Sequence, residues 1–208
     1  ENLFEKFGKK RVFDVPTSEN ALTGVAIGAG INGVRSVTTH QRLDFFLLAM
    51  DQIVNSASKW HYMFDGKMSV PITIRLIVGR GWGQGPTHSQ SLQSWFAHIP
   101  GLKVVMPSLP DYGSDLLYSS IFDPNPVLFI EHRWLHNIET NKKSKFKSIN
   151  ISSAQKVKTG RDITIVSMSY LTIEAIEVAK QLQKYGILCE IIDLVSVNPI
   201  DYVKIYKS

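Results

Sequence analysis

The sequence predicts an α/β protein: a doubly wound, mostly parallel sheet followed by the start of a second α/β unit. Three observations predict it. Short β-branched runs alternate with helix-length segments along the chain. Residues 71–78 are so rich in Ile, Leu and Val that both faces of the strand need cover, the habit of a parallel sheet. A glycine-rich turn, residues 79–87, follows that strand directly, where α/β folds place their ligand loops.

The elements follow in order. Pro16 and Thr17 suit the end of an extended segment, Ser18 suits an N-cap, and Glu19 then falls in the first turn of a helix. That helix is built from small residues, Ala21, Gly24, Ala26, Gly28, Ala29, Gly30 and Gly33. Residues 33–39 read as a short strand. Residues 44–63 read as one long helix with a core stripe of Phe45, Leu48, Ala49, Ile53 and Ala57. After the strand at 71–78 and its loop, a short helix over 89–98 carries Leu92, Trp95 and Phe96. A strand at 103–107, a helix at 111–122 and a strand at 126–131 close the first domain, residues 1–136. Residues 137–159 are polar and lysine-rich and read as a linker. The second unit, residues 160–208, holds a strand at 162–168, a helix at 172–185 and a strand at 188–195. One βαβ unit cannot bury a core by itself, so this unit reads as cut short or completed by another chain.

Composition narrows the function classes. The chain has 208 residues, 44% hydrophobic and 20% charged, with a net charge of +5. No apolar run reaches the roughly 18–20 residues of a membrane span, and the first residues lack the apolar centre of a signal peptide. The single cysteine, Cys189, lies in an apolar stretch and reads as core, so no internal disulfide forms and a cytoplasmic setting is expected. Much of the positive charge lies in Lys142, Lys143, Lys145 and Lys147, as a solvated stretch without the interleaved aromatics of a nucleic-acid surface. Neither nucleic acid nor a membrane is expected as a partner.

Glu19 is the most informative residue. A helix face nearly bare of side chains lets another backbone or a flat ligand come close. A carboxylate beside that face can be kept from water and share a proton with a ring nitrogen. The alternative is a solvated glutamate favoured by the helix macrodipole. The loop with Gly79, Gly81, Gly83 and Gly85 is neither a Walker loop nor a dinucleotide fingerprint. It leads to His88, at a strand–loop–helix junction near the carboxyl edge of the sheet, although a capping or surface histidine is the competing reading. His40 follows an earlier strand and can face the same crevice. No histidine has zinc-ligand spacing, and no nucleophile elbow is present. Also missing is a Gly-Asp-Gly followed by Asn, the arrangement that holds a magnesium diphosphate.

These residues carry a family resemblance. Arg11-Val12-Phe13-Asp14, Ser18-Glu19, Gly24-Val25-Ala26-Ile27-Gly28-Ala29, Gly33-Val34-Arg35, Asp51-Gln52-Ile53-Val54-Asn55-Ser56-Ala57, His88-Ser89-Gln90-Ser91, His98-Ile99-Pro100-Gly101-Leu102-Lys103 and Asp123-Pro124-Asn125-Pro126 are its landmarks. On them the chain resembles the beta subunit of the thiamine-diphosphate-dependent first component of 2-oxo acid dehydrogenases, of the pyruvate dehydrogenase type. The resemblance implies a pyrimidine-binding domain followed by part of a transketolase-like C-terminal domain. It implies that Glu19 hydrogen-bonds the pyrimidine nitrogen of thiamine diphosphate and that Phe45 packs on that ring. It places Thr17 beside Glu19 at the cofactor. His88 is implied as an active-site histidine that handles protons or anionic charge during acyl transfer to lipoamide. Asp123 and Asn125, with backbone near Ile72, Ser120 and Ile121, are implied as a potassium site. The implied partners are an alpha subunit holding the diphosphate and magnesium, a second beta chain in an alpha2-beta2 assembly, and the lipoyl acyltransferase.

The chain departs from the family's pattern. It lacks the family's first strand and helix and most of the C-terminal domain. Thr39-His40 stands where the family has an acidic–aromatic pair, and the loop over residues 80–85 is bulkier. The last two departures lie where a substrate is selected and leave the substrate open. Two alternatives remain: another thiamine enzyme half, such as a transketolase-like carboligase or a 2-oxo acid decarboxylase, or a non-catalytic assembly remnant.

Overall fold

The computed structural model describes residues 2–141 and 146–208. Lys142, Lys143 and Lys145 of the lysine-rich stretch lie outside the described residues. A short helix, α1 (Leu3–Phe7), precedes the main helix α2 (Glu19–Ile31). Ser18 stands at the N-cap of α2 as expected, but its side chain makes no capping hydrogen bond.

The first sheet contains β1 (Ser36–His40), β2 (Ile72–Val78), β3 (Lys103–Val105) and β4 (Val127–His132), all parallel, in the order β1-β2-β4-β3. The alternating pleat sends successive side chains to opposite faces. Ile72, Ile74, Leu76, Leu128, Ile130 and Val104 face one way, onto Ala26 and Ile27 of α2 and onto Phe46, Ala49 and Ile53. Val105, Val127 and Phe129 face the other way, onto Leu116. Leu116 belongs to the helix between β3 and β4 (Pro110–Phe122). Helices thus cover both faces, and the sheet is doubly wound.

The long helix expected over 44–63 is a broken one. It divides into α3 (Leu43–Phe46), a 3-10 turn (Leu47–Ala49), a π-helical stretch (Gln52–Ala57) and α4 (Trp60–Met63). The backbone bond from Ser58 N to Ile53 O, at 3.0 Å, spans five residues and marks the widened turn. Its neighbour is unusually close. A Cβ on Gly101, whose φ is +93°, would stand 2.0 Å from the Ser58 carbonyl oxygen. The change of helical period shifts the core stripe. Leu43, Phe46, Ala49, Ile53 and Ala57 are buried, while Phe45 is 44% and Leu48 64% exposed.

The remaining elements are α5 (Gln93–Ala97), α6 (the Pro110–Phe122 helix), β5 (Gln155–Lys158), β6 (Ile163–Ser167), α7 (Tyr170–Gln183), β7 (Cys189–Asp193), β8 (Ser196–Asn198) and α8 (Tyr202–Tyr206). The stretch expected as a linker therefore carries a strand: β5 pairs antiparallel with β7 in a second sheet ordered β5-β7-β6. Cys189 is fully buried in that unit's core, beside Ile191 and Ala179.

The two units are joined by structure the sequence does not announce. β8 crosses into the first sheet and pairs antiparallel with β3. The buried Asp193 carboxylate, at the end of β7, accepts hydrogen bonds from Ser108 and Tyr112 of the first unit and from Thr172 of α7. Burial pushes Asp193 up from its usual value, against those hydrogen bonds, and pushes the Tyr112 phenol up as well. Arg80 and Glu174 form an exposed ion pair at 2.8 Å across the same junction.

Candidate active site

Parallel strands end together, so the loops leaving β1, β2 and β4 crowd one edge of the sheet. His40 ends β1, and burial pushes its imidazole below the usual value while the nearby Glu19 carboxylate pulls it back up. Glu19 starts α2 and is half-buried. Gln52 donates to Asn20 Oδ1 at 3.1 Å, tying the first turn of α2 to the helical segment that follows Phe45. Among the described residues nothing donates a hydrogen bond to the Glu19 carboxylate.

The His40 ring packs on Phe46, 4.9 Å between centroids. Phe45, next in the chain, points away from the core. It meets His88 edge to face, 5.1 Å between centroids and 85° between planes. His88 ends a 3-10 turn (Pro86–His88), and its Nδ1 shares a hydrogen bond with Thr87 Oγ1 at 3.1 Å. Two pairs thus stand at the carboxyl edge of the sheet, Glu19 with His40 and Phe45 with His88, and the neighbouring Phe46, on which His40 packs, joins them. Thr17 stands outside both pairs, exposed and without a hydrogen-bond partner among the described residues.

The loop off β2 is held by contacts that the sequence reading missed. Trp82 lies on the bare backbone of Gly79, where a Cβ would come within 2.8 Å of the indole. Its Nε1 donates to Ser89 Oγ at 2.8 Å, and Arg42 stacks on its ring at 4.4 Å. Gln90 donates twice to the buried Asp44 carboxylate, from its backbone N–H at 3.2 Å and its side chain at 2.9 Å. Trp82, Ser89 and Gln90 therefore fix the segment carrying His88 against the segment carrying Phe45. The only sequence signal for this was the bulk of the loop.

The expected potassium ligands lie at the opposite, amino edge of the sheet, where β2 begins at Ile72. Arg35 donates to the carbonyls of Ile121 at 3.0 Å and Asp123 at 2.8 Å, and Thr73 donates to the Ser120 carbonyl at 3.1 Å. The Asp123 carboxylate pairs with Lys103 at 2.5 Å and accepts the Asn125 N–H at 2.9 Å. A guanidinium already supplies positive charge to two of these carbonyls.

Residues 1–137 match the family described as transketolase, pyrimidine binding domain, and residues 152–208 match transketolase, C-terminal domain. The chain belongs to the transketolase pyrimidine-binding domain family.

Relatives are similar along nearly the whole chain, both matched domains included. The beta subunit of acetoin:2,6-dichlorophenolindophenol oxidoreductase from Cupriavidus necator is 40% identical, covering 99% of this chain and 61% of that protein. The pyruvate dehydrogenase E1 component subunit beta of Chaetosphaeridium globosum is 40% identical over 95% of this chain and 60% of its own length. Its counterpart from Rhizobium meliloti is 39% identical over 100% of this chain and 45% of its own. The chain thus spans roughly half to three-fifths of these relatives' lengths. Among solved structures, a split-gene transketolase, described as an inactive beta4 tetramer, superposes with a TM-score of 0.81. It is 23% identical and covers 99% of this chain and 64% of its own. A transketolase mutant from Pichia stipitis superposes with a TM-score of 0.64 at 20% identity, over 86% of this chain and 26% of its own. These two likenesses show the fold.

The residues of this pyrimidine-binding domain fit the aminopyrimidine end of thiamine diphosphate. A flat heterocycle needs an aromatic wall, and Phe45 offers a ring that the core does not use. A ring nitrogen needs a carboxyl partner, and Glu19 is uncommitted. Among the described residues no helix is long and apolar enough to cross a membrane.

Proposed function

We propose that the chain is the pyrimidine-binding half of a thiamine-diphosphate-dependent 2-oxo acid dehydrogenase, acting as the beta subunit of a pyruvate dehydrogenase-type first component. The observation that carries this reading is the placement of the Glu19–His40 and Phe45–His88 pairs at the carboxyl edge of the sheet, with the Glu19 carboxylate free to bond a ligand. The relatives named for pyruvate dehydrogenase and acetoin oxidoreductase beta subunits support it.

The bound cofactor supplies the electron sink for losing carbon dioxide from the 2-oxo acid. The chain's own residues do the rest. Glu19 holds a proton at the pyrimidine nitrogen and keeps that ring oriented. Phe45 closes one side of the ring and excludes water. His88, with Nδ1 engaged by Thr87, is left with Nε2 to give or take a proton at the substrate. His40, held toward its neutral form by burial, sits beside Glu19 without locking it in a permanent ion pair. Thr17, two residues before Glu19 and exposed, belongs to the same cofactor wall.

An alpha subunit binding the diphosphate and magnesium, pairing of beta chains, transfer to a lipoyl acyltransferase and a cytoplasmic setting are parts of this proposal. So is the domain limit at 136, whereas the second unit begins before 160, because β5 already belongs to its sheet. Potassium at Ile72, Ser120, Ile121, Asp123 and Asn125 has weaker support, because Arg35 already serves two of those carbonyls.

The test is Glu19→Ala in the enzyme reconstituted with its alpha subunit. Association is retained and decarboxylation falls by at least about 100-fold, the typical contribution of a general acid–base group being roughly 10²–10⁴. Activity that survives the substitution overturns the mechanism. The notable second reading is a diketone or acyloin substrate, favoured by the acetoin-named relative, and side-by-side turnover of pyruvate and acetoin separates the two.

A further inference from the structure

Arg42 lies in the turn that leaves β1, two residues beyond His40, and is half-buried. Its partners are all neutral. Nη1 donates to the Gln41 carbonyl at 2.7 Å and Nη2 to Gln84 Oε1 at 2.6 Å. The Trp82 indole covers one face of the guanidinium. Nε is buried and has no hydrogen-bond partner. Among the described residues no carboxylate lies within ion-pair distance. Asp44, the nearest in sequence, accepts from Gln90.

Arg75 shows what such a guanidinium edge holds when it is filled. Its Nε and Nη2 donate to the two oxygens of Glu131, both at 2.9 Å. That edge matches the spacing of a carboxylate. On Arg42 the same edge is half-filled: a neutral amide sits on Nη2 and nothing sits on Nε. The amide also sits on an exposed turn. Gln84 is exposed and stands between Gly83 and Gly85, both left-handed and both with open space where a Cβ would be.

The position is at the carboxyl edge of the sheet, just beyond the end of β1. Arg42 bridges the loops that leave β1 and β2, and the second of these loops ends at His88. The geometry points to Arg42 as a specificity-determining residue that binds an acidic group at the far end of the substrate, with Gln84 as its placeholder. The substrate class is then a 2-oxo acid bearing a second anionic group. This rests on the 2-oxo acid reading above. The anion held is the one that stays. A firm pair with the departing carboxylate would stabilise the ground state more than the transition state, in which that charge leaves the carboxylate.

The reconstituted enzyme is assayed with 2-oxoglutarate and with pyruvate. Arg42→Met lowers the ratio of kcat/KM values, dicarboxylate over monocarboxylate, on the order of 30-fold, the size of one lost charged hydrogen-bond pair. The loss falls mainly in KM, and Arg42→Lys recovers part of it. An unchanged ratio overturns the proposal. A second measurement does not need turnover. The full chain is titrated with glutarate, acetate and inorganic phosphate while its tryptophan emission is followed. A saturable response to glutarate, weaker with acetate and absent in Arg42→Met and Trp82→Phe, supports the site. A stronger response to phosphate than to glutarate supports it too and makes the distal group a phosphate. No response to any of the three anions overturns it. Glutarate binding in an enzyme that turns over neither acid keeps the anion site and sinks the 2-oxo acid reading instead.

Discussion

Phe45 turns its ring to His88, edge to face at 5.1 Å, while its neighbour Phe46 is fully buried in the core. Adjacent phenylalanines thus serve different ends, one beside His88 at the carboxyl edge of the sheet and one in the packing. Phe46→Ala removes a buried aromatic and costs about 3–5 kcal/mol. Phe45→Ala, at a site 44% exposed, costs under about 1 kcal/mol but lowers kcat/KM. Urea unfolding of the two variants and kinetics of the reconstituted enzyme check the contrast.

His40 links the crevice to acid stability. Its value is lowered in the folded chain, so the unfolded chain binds the proton more readily. The stability this provides is fully present above the unfolded value of 6.5 and is lost as pH falls through the lower folded value. His40→Asn flattens that part of the profile. Urea midpoints measured between about pH 5 and 8 show the slope in the parent and its reduction in the variant.

Asp193 works with the opposite sign. Its folded value is raised, chiefly by burial, so its contribution is greatest below the unfolded value of 3.8 and is lost as pH rises through the folded value. Asp193→Asn removes that dependence and keeps an acceptor for Ser108 and Tyr112. Asp193→Ala leaves those hydroxyls without their acceptor at the junction of the two units and costs about 1–3 kcal/mol. Thermal unfolding of both variants at neutral pH distinguishes them.

Gly101 is required by contact as well as by backbone angle. Gly101→Ala puts a methyl 2.0 Å from the Ser58 carbonyl oxygen at a φ of +93°. The strained backbone alone costs about 1–3 kcal/mol, and the clash adds to it. A drop in the urea midpoint larger than that of a Gly→Ala change at exposed Gly8 is the expected result, and equal drops contradict the contact.

The sequence by itself determined the alternation of strands and helices in the first unit and the residues worth watching. Period and composition are local: residues 71–78 read as a buried strand and Ser18 as an N-cap before Glu19, and both elements formed there. Other features needed the folded chain. The 3-10 turn at Leu47–Ala49 changes the helical period directly after Phe45, which faces outward while Phe46 is buried, and an ideal 3.6-residue repeat does not foresee it. The segment expected as a linker became β5 because β7 offered it an open edge. β8 joined the first sheet for the same reason, at β3. Whether Arg42 meets an acid or an amide depends on where Gln84 ends up, 42 residues later in the chain. Such pairings are set by packing between distant segments, and no local pattern carries them.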